Sequence, residues 1–410
     1  MHRLAVKLIL TLSFSGLVTF IIGLERKSDS HLATVRDDEL PRGWGWSRLP
    51  GVALNPGGTA CGKLGQPKMI DGCLCSQVPG INGAEGCPAV LTGWNSATID
   101  PIRRRLVFWG GGHAAYYGNE VYAVDLRARK LVLLHDSDAP TPCVGGGDNG
   151  YGHPNSRHTY NAMDTVTHLD EFVQIGGAPA CGSTIRIQPA DIWTYSFATN
   201  DWTLKSTSSP IARGGSLGEG ITVLYDPVSK LVYVSDTAIF FSWNPDTNIV
   251  TKLAPIPGGQ LDYRMTPVLD PDRRAIYYFG CGGCAGGDLK GLYRISISKV
   301  SGYTVSGWNE ATKDGCSAVT SPAYPGVSYD TRIKKVVGWV GGDEVAVFDP
   351  DTRRCQTFRY PGGPPAVPGE GGVEGHFRYL SPLDVFVEVN RWNEDAYILR
   401  LGPEVTSKVP

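Results

Sequence analysis

Histidines, arginines and tyrosines recur in short groups far apart along the chain. Arg157, His158 and Tyr160 form one group, Tyr263 and Arg264 a second, and His376 and Arg378 a third. A fourth lies in the glycine-rich run 110–120, which carries His113, Tyr116 and Tyr117. Imidazole and phenol groups can take or give a proton, and a guanidinium can grip a carboxylate with two parallel hydrogen bonds. Carboxylates are few at the inner-strand positions that these groups share, where Glu219 stands with Glu374 nearby. A glycosidase normally needs two carboxylates at a set separation, so hydrolysis by that route is disfavoured. A serine hydrolase of the α/β type is set aside. His113, His158 and His376 lack metal-ligand spacing, so no metal and no cofactor is expected.

These groups need a scaffold that gathers them, and a repeat supplies one. Each unit reads as a short strand, a turn, an apolar strand ending in glycines, a loop, a third strand, a turn and a fourth strand. The units start near residues 92, 157, 219, 263 and 325. A sixth starts at His376 and lacks its fourth strand, because the chain stops at Pro410. Residues 45–50 resemble the missing strand, and a ring closed by them leaves no exposed sheet edge. The expected fold is all-β, a β-propeller of six blades, or seven if residues 51–90 hide a degenerate one. Glycine (52) and proline (29) total 81 of 410 residues, about a fifth, as many tight turns require.

Aligning the innermost strands on a terminal Asp or Pro (Asp100, Asp164, Asp226, Asp270, Asp330, Pro382) brings one column into view. Six residues earlier stand Trp94, His158, Gly220, Arg264, Tyr324 and His376. In a propeller the loops leading into these strands share a face with the loops between second and third strands. His113 and Tyr117 would therefore open toward Arg157 and His158. The long loops 136–156, 178–190, 281–290, 309–324 and 359–374 would wall a cleft there, and a Cys143–Cys181 bridge would join two of them. Trp193, Trp202 and Trp243 read as blade packing, and His135, His153 and His168 receive no role.

Val107-Phe-Trp-Gly-Gly-Gly112 followed by residues 120–125 resembles a Kelch-type blade. So does the run 173–177 followed by 191–195, with Trp202 beyond. The resemblance covers about residues 92–401 and implies a propeller without fixing an activity. Galactose oxidase, a Kelch-like enzyme, would imply a copper site with a crosslinked tyrosine, for which no counterpart is found. The set of His, Tyr and Arg at the mouth is similar to that of propeller polysaccharide lyases of the ulvan lyase type. That likeness implies β-elimination on an acidic, uronic-acid-containing polysaccharide. His158 or Tyr263 would be the base and His113 its acid partner. Arg264 or Arg157 would hold the uronate carboxylate, with Tyr117, Tyr160, His376 and Arg378 supporting substrate. The alternative is a non-catalytic Kelch-like propeller that binds a glycan or protein at the cell surface.

The formal charge of -2 gives no basic excess, so a nucleic-acid partner is not expected. Residues 1–24 carry a basic start and a 17-residue apolar run, which reads as a secretion signal, cleaved or kept as a membrane anchor. A polar linker follows at 25–41 and the propeller at 42–403, with a Cys-rich insertion at 51–90. Ten cysteines in an exported chain point to disulfides rather than zinc, Cys281-Gly-Gly-Cys284 included. The expected protein is a secreted or periplasmic monomer.

Overall fold

The computed structural model describes residues 40–54, 74–76, 78–112, 115–140, 148–179, 191–207, 209–211, 220–256, 258–285, 289–298, 302–304, 315–365 and 371–406. Residues 37–410 make one compact unit. Six antiparallel four-stranded sheets follow one another along the chain. Their innermost strands are Ala97–Asp100, Met163–Val166, Thr222–Asp226, Thr266–Asp270, Gly326–Asp330 and Phe377–Leu380. Each lies beside the next, and the sixth lies beside the first, so the ring is closed. The sixth sheet takes its outer strand from the far end of the chain. Gly45–Arg48 pairs with Tyr397–Arg400, with Trp46 opposite Leu399.

No sheet buries itself, because each strand presents apolar side chains to both faces. Six clusters of buried side chains sit between neighbouring blades, one at every junction. Trp109 and Trp193 fill the first junction, Trp243 the second and Trp339 the fifth, each fully buried. At 1.5–3 kcal/mol per large buried side chain, these seams are the main favourable term in the fold.

The first hairpin of every blade ends the same way. The residue just before the second strand is left-handed in all six: Arg104, Asp170, Lys230, Arg274, Lys334 and Asp384, with φ between 52° and 60°. Four of these turns open with a buried Asp whose carboxylate accepts a backbone N–H, as from Arg103 to Asp100 and from Arg273 to Asp270. In the second and sixth blades the strand ends instead at Val166 and Leu380. Asp164 lies within its strand and accepts the N–H of Tyr225 from the next blade at 2.7 Å. Pro382 lies inside the turn itself. The alignment on Asp164 and Pro382 is therefore displaced by two residues in these blades.

No seventh blade occupies the described part of residues 51–90; between Arg48 and Ala97 a short helix, Ala89–Thr92, is the one regular element among the described residues. A Cys75–Cys87 disulfide closes a loop within the insertion, and Ser76 N–H donates from it to Glu120 of the first blade. Cys281–Cys284 and Cys316–Cys355 are also bonded, which fits an oxidising compartment. The remaining cysteines, with the proposed Cys143–Cys181 bridge and the N-terminal signal, lie outside the described residues. No helix among the described residues is long and apolar enough to cross a membrane.

Glu388 ends the second strand of the sixth blade and is 3% exposed. Burial pushes its carboxyl up to about 8, against a hydrogen bond from Asn390 that lowers it. A carboxyl raised on folding binds its proton more tightly in the native state. The stability it contributes is full below about pH 4 and is lost as pH rises through 8. Glu388→Gln should remove a few kcal/mol of this loss at pH 8 and leave pH 4 stability nearly unchanged. Urea unfolding of both proteins at the two pH values checks it; equal pH sensitivity would count against the assignment.

Candidate functional site at the propeller mouth

Counting back from the true strand ends gives a different column: Trp94, Tyr160, Gly220, Arg264, Tyr324 and Glu374. Five of these six are left-handed: Trp94 (φ 53°), Tyr160 (46°), Gly220 (80°), Tyr324 (50°) and Glu374 (44°). Bulky residues avoid this region, at a cost of roughly 1–3 kcal/mol each. Hydrogen bonds between blades hold the strained segments. Tyr160 N–H donates to the Trp94 carbonyl, Val223 to Asn161, Tyr324 to Arg264, and Val373 and Glu374 to Tyr324. The repeat thus gives equivalent positions to residues of all six blades and brings the side chains of Trp94, Tyr160 and Tyr324 together.

Trp94, Tyr160, Ala178 and Tyr324 form one apolar cluster. Tyr160 belongs to the second blade and Tyr324 to the fifth, which lie across the ring from each other. Their rings therefore close this end of the channel. Tyr263 packs edge-on against Tyr324 at 6.4 Å and is 38% exposed. The Arg264 guanidinium lies 5.0 Å from the Tyr263 ring centroid. Asp262 clamps it, with Nε to Oδ1 at 2.9 Å and Nη2 to Oδ2 at 2.8 Å, and this raises the arginine pKa further. At Gly220 any Cβ would collide with Tyr263 and Thr237, so the missing side chain makes room for that tyrosine.

His158 borders the cluster. Its ring is edge-on to Trp94 at 5.2 Å and 5.9 Å from Tyr160. Its Nδ1–H donates to the Gly93 carbonyl, which fixes the neutral tautomer with the Nε2 lone pair. Glu374 is fully buried, and neither of its carboxylate oxygens has a hydrogen-bond partner among the described residues. Burial raises its pKa well above the usual range, against the pull of Arg378. Burial, followed by the Glu374 charge, likewise raises that of Tyr324.

The other expected residues are elsewhere. Arg157 is fully buried in an ion pair with Asp191, at 2.9 and 3.1 Å, and also donates to the carbonyls of Asn155 and Gly176. His376 is buried near Phe108. Burial first, then the Arg378 charge, lowers its pKa to about 3, so its ring is neutral at physiological pH. Arg378 donates from Nε to the carbonyls of Ala97 and Gly375 and has Asp164 and Glu374 as its nearest opposing charges. Tyr117 lines a polar cleft with Asn119, Asp138, Asn149, Asn155 and Ser156. His113 and Glu219 lie outside the described residues, as do 141–147, 180–190, 286–288, 309–314 and 366–370 of the expected cleft walls. The structure thus gathers His158, Tyr160, Tyr263 and Arg264, and adds Trp94, Tyr324 and Glu374.

Residues 214–218, Gly-Gly-Ser-Leu-Gly, do have the spacing of a nucleophile elbow. Setting aside an α/β hydrolase therefore rests on the fold, since that elbow joins a strand to a helix over an α/β sheet. The segment lies outside the described residues.

No family model matches the chain, and no curated protein matches it. Among solved structures, a structural genomics protein of unknown function from Bacteroides thetaiotaomicron VPI-5482 is 12% identical, with 87% of this chain and 75% of that one covered and a TM-score of 0.48. YjhT is 8% identical, with 78% and 94% covered and a TM-score of 0.46. Likeness at this level carries no argument about function.

Proposed function

We propose that the mouth of this propeller binds an acidic glycan. The observation that carries the reading is the half-exposed Tyr263 ring beside the Arg264 guanidinium, both held by residues behind them. A sugar ring stacks on an aromatic face, and a uronate carboxylate meets a guanidinium already fixed by Asp262. Preorganisation of this kind lowers the ordering cost of binding. Arg264 keeps its charge at any ordinary pH, so the preference for acidic chains should hold from pH 5 to 9.

Cleavage by β-elimination is a second reading, favoured by the His158 tautomer at the edge of the same cluster. In it a neutral imidazole takes the proton next to the uronate carboxylate, a carbon–carbon double bond forms as the C–O bond to the neighbouring sugar breaks, the leaving oxygen takes a proton from solvent, and Arg264 offsets the charge that develops. Arg157, committed to Asp191, supplies no such step.

Titration with a panel of uronate oligosaccharides tests both. Binding is expected, and Tyr263→Ala should weaken it about tenfold or more, roughly 1.4 kcal/mol. No binding across the panel, or unchanged affinity in the folded variant, would overturn the proposal. Growth of ultraviolet absorbance from an unsaturated uronate would add the second reading; its absence with intact binding would leave the first alone.

A further inference from the structure

Away from the mouth, two histidines and two aspartates meet between the outer strands of the first and second blades. His135 ends the strand Lys130–His135, Asp138 lies three residues on, and His153 comes from the next loop. Ligand atoms of these three residues lie within 4.8 Å of one another. Asp201, at the start of the strand Asp201–Ser206, approaches from the neighbouring blade. The geometry points to a site for one divalent transition metal, zinc above all, held by His135, Asp138 and His153.

The surroundings prepare each group for that role. His135 Nδ1–H donates to the Asn200 carbonyl at 3.0 Å, which leaves the Nε2 lone pair as the ligand. Such a bond to a backbone carbonyl is the usual way a ligating histidine is oriented. His153 has a carboxylate on each side: Asp138 Oδ2 lies 2.8 Å from Nδ1, and Asp201 Oδ1 lies 3.2 Å from Nε2. One nitrogen can bind metal while the other donates to a carboxylate. Asn119, Asn149 and His153 all bond Asp138 through Oδ2, at 3.0, 2.5 and 2.8 Å, and none of these bonds uses Oδ1.

Two further observations fit an ion. The His135 and His153 rings pack edge-on at 4.9 Å, and their nitrogens lie within reach of a single ion. Tyr195, edge-on to His135 at 6.3 Å, buries a hydroxyl that has no hydrogen-bond partner among the described residues. Two imidazoles and one carboxylate suit zinc and its first-row neighbours, with calcium and magnesium preferring all-oxygen sets. Three protein ligands leave a coordination position open, and Asp138 also lines the polar cleft next to Tyr117.

The test uses the full chain, stripped with a chelator and dialysed against zinc. Metal content should reach one ion per chain, and the thermal midpoint should rise with zinc concentration. His153→Ala and Asp138→Asn should each weaken binding at least tenfold, while His168→Ala, outside the cluster, should bind like the parent. Lowering pH from 7.5 to 5.5 should weaken zinc binding in the parent at least tenfold, because protons compete for the imidazoles. Failure to reach one ion per chain, pH-independent binding, or undiminished binding in a folded His135→Ala/His153→Ala double variant would overturn the site.

Discussion

Arg157→Ala should destabilise the protein by about 3–5 kcal/mol, the cost of leaving one partner of a buried ion pair behind. The side chains of Arg157 and Asp191 are fully buried, and the guanidinium also satisfies two backbone carbonyls in the second blade. Removing it strands Asp191, which would keep only neutral donors such as the Trp193 indole. The loss should appear as a lower urea midpoint, with glycan affinity of the remaining folded fraction unchanged. An Arg157→Ala variant with parental stability and no glycan binding would place the guanidinium at the mouth instead.

Gly112→Ala is expected to cost about 2–4 kcal/mol, from a left-handed backbone and an overfilled site together. Gly112 has φ of 76°, and a methyl group there would enter the His158 imidazole. The strain part is intrinsic to alanine; the clash part depends on the histidine. A double-mutant cycle separates them, because His158→Ala should recover much of the loss in the Gly112→Ala background. Strictly additive effects on the unfolding free energy would show that the glycine and the histidine are not in contact. The same substitution should reduce glycan binding, since His158 supports the Trp94 and Tyr160 rings.

The fold could be read from the sequence because its period is carried by many residues at once. Glycines after second strands and Asp-led turns each recur in four of the six blades, and buried tryptophans fill three of the six seams. Even the borrowed strand at Gly45 was visible, through its likeness to the fourth strands. The site was harder, because its register rested on a single residue type. Asp marks the strand end in four blades, but Asp164 serves a neighbouring backbone, and Pro382 sits inside a turn. A slip of two residues preserves the strand's side, so nothing in the alternation exposed the error. It exchanged Tyr160 for His158 and Glu374 for His376. The sounder marker is the left-handed residue ahead of each second strand, ten positions after the column, but conformation is not written in residue type. Arg, Lys and Asp fill that place here, where glycine or asparagine would have announced it. The cluster at His135 escaped notice for another reason. Its members come from two blades, and their meeting depends on how the outer strands of adjacent sheets approach.

The pairing of Gly45–Arg48 with Tyr397–Arg400 also sets an order of events in biosynthesis. The strand that leaves the ribosome first must wait for the one that leaves last. In the interval the nascent chain carries an unzipped rim, with Leu399 and Ile398 not yet made and Trp46 without its seat. Five sheets can form as they are translated, but the molecule is finished only when its two extremities meet. Cutting the chain just after Arg48 would then act like opening a clasp, and damage would begin in the sixth blade and its two seams before reaching the rest of the ring.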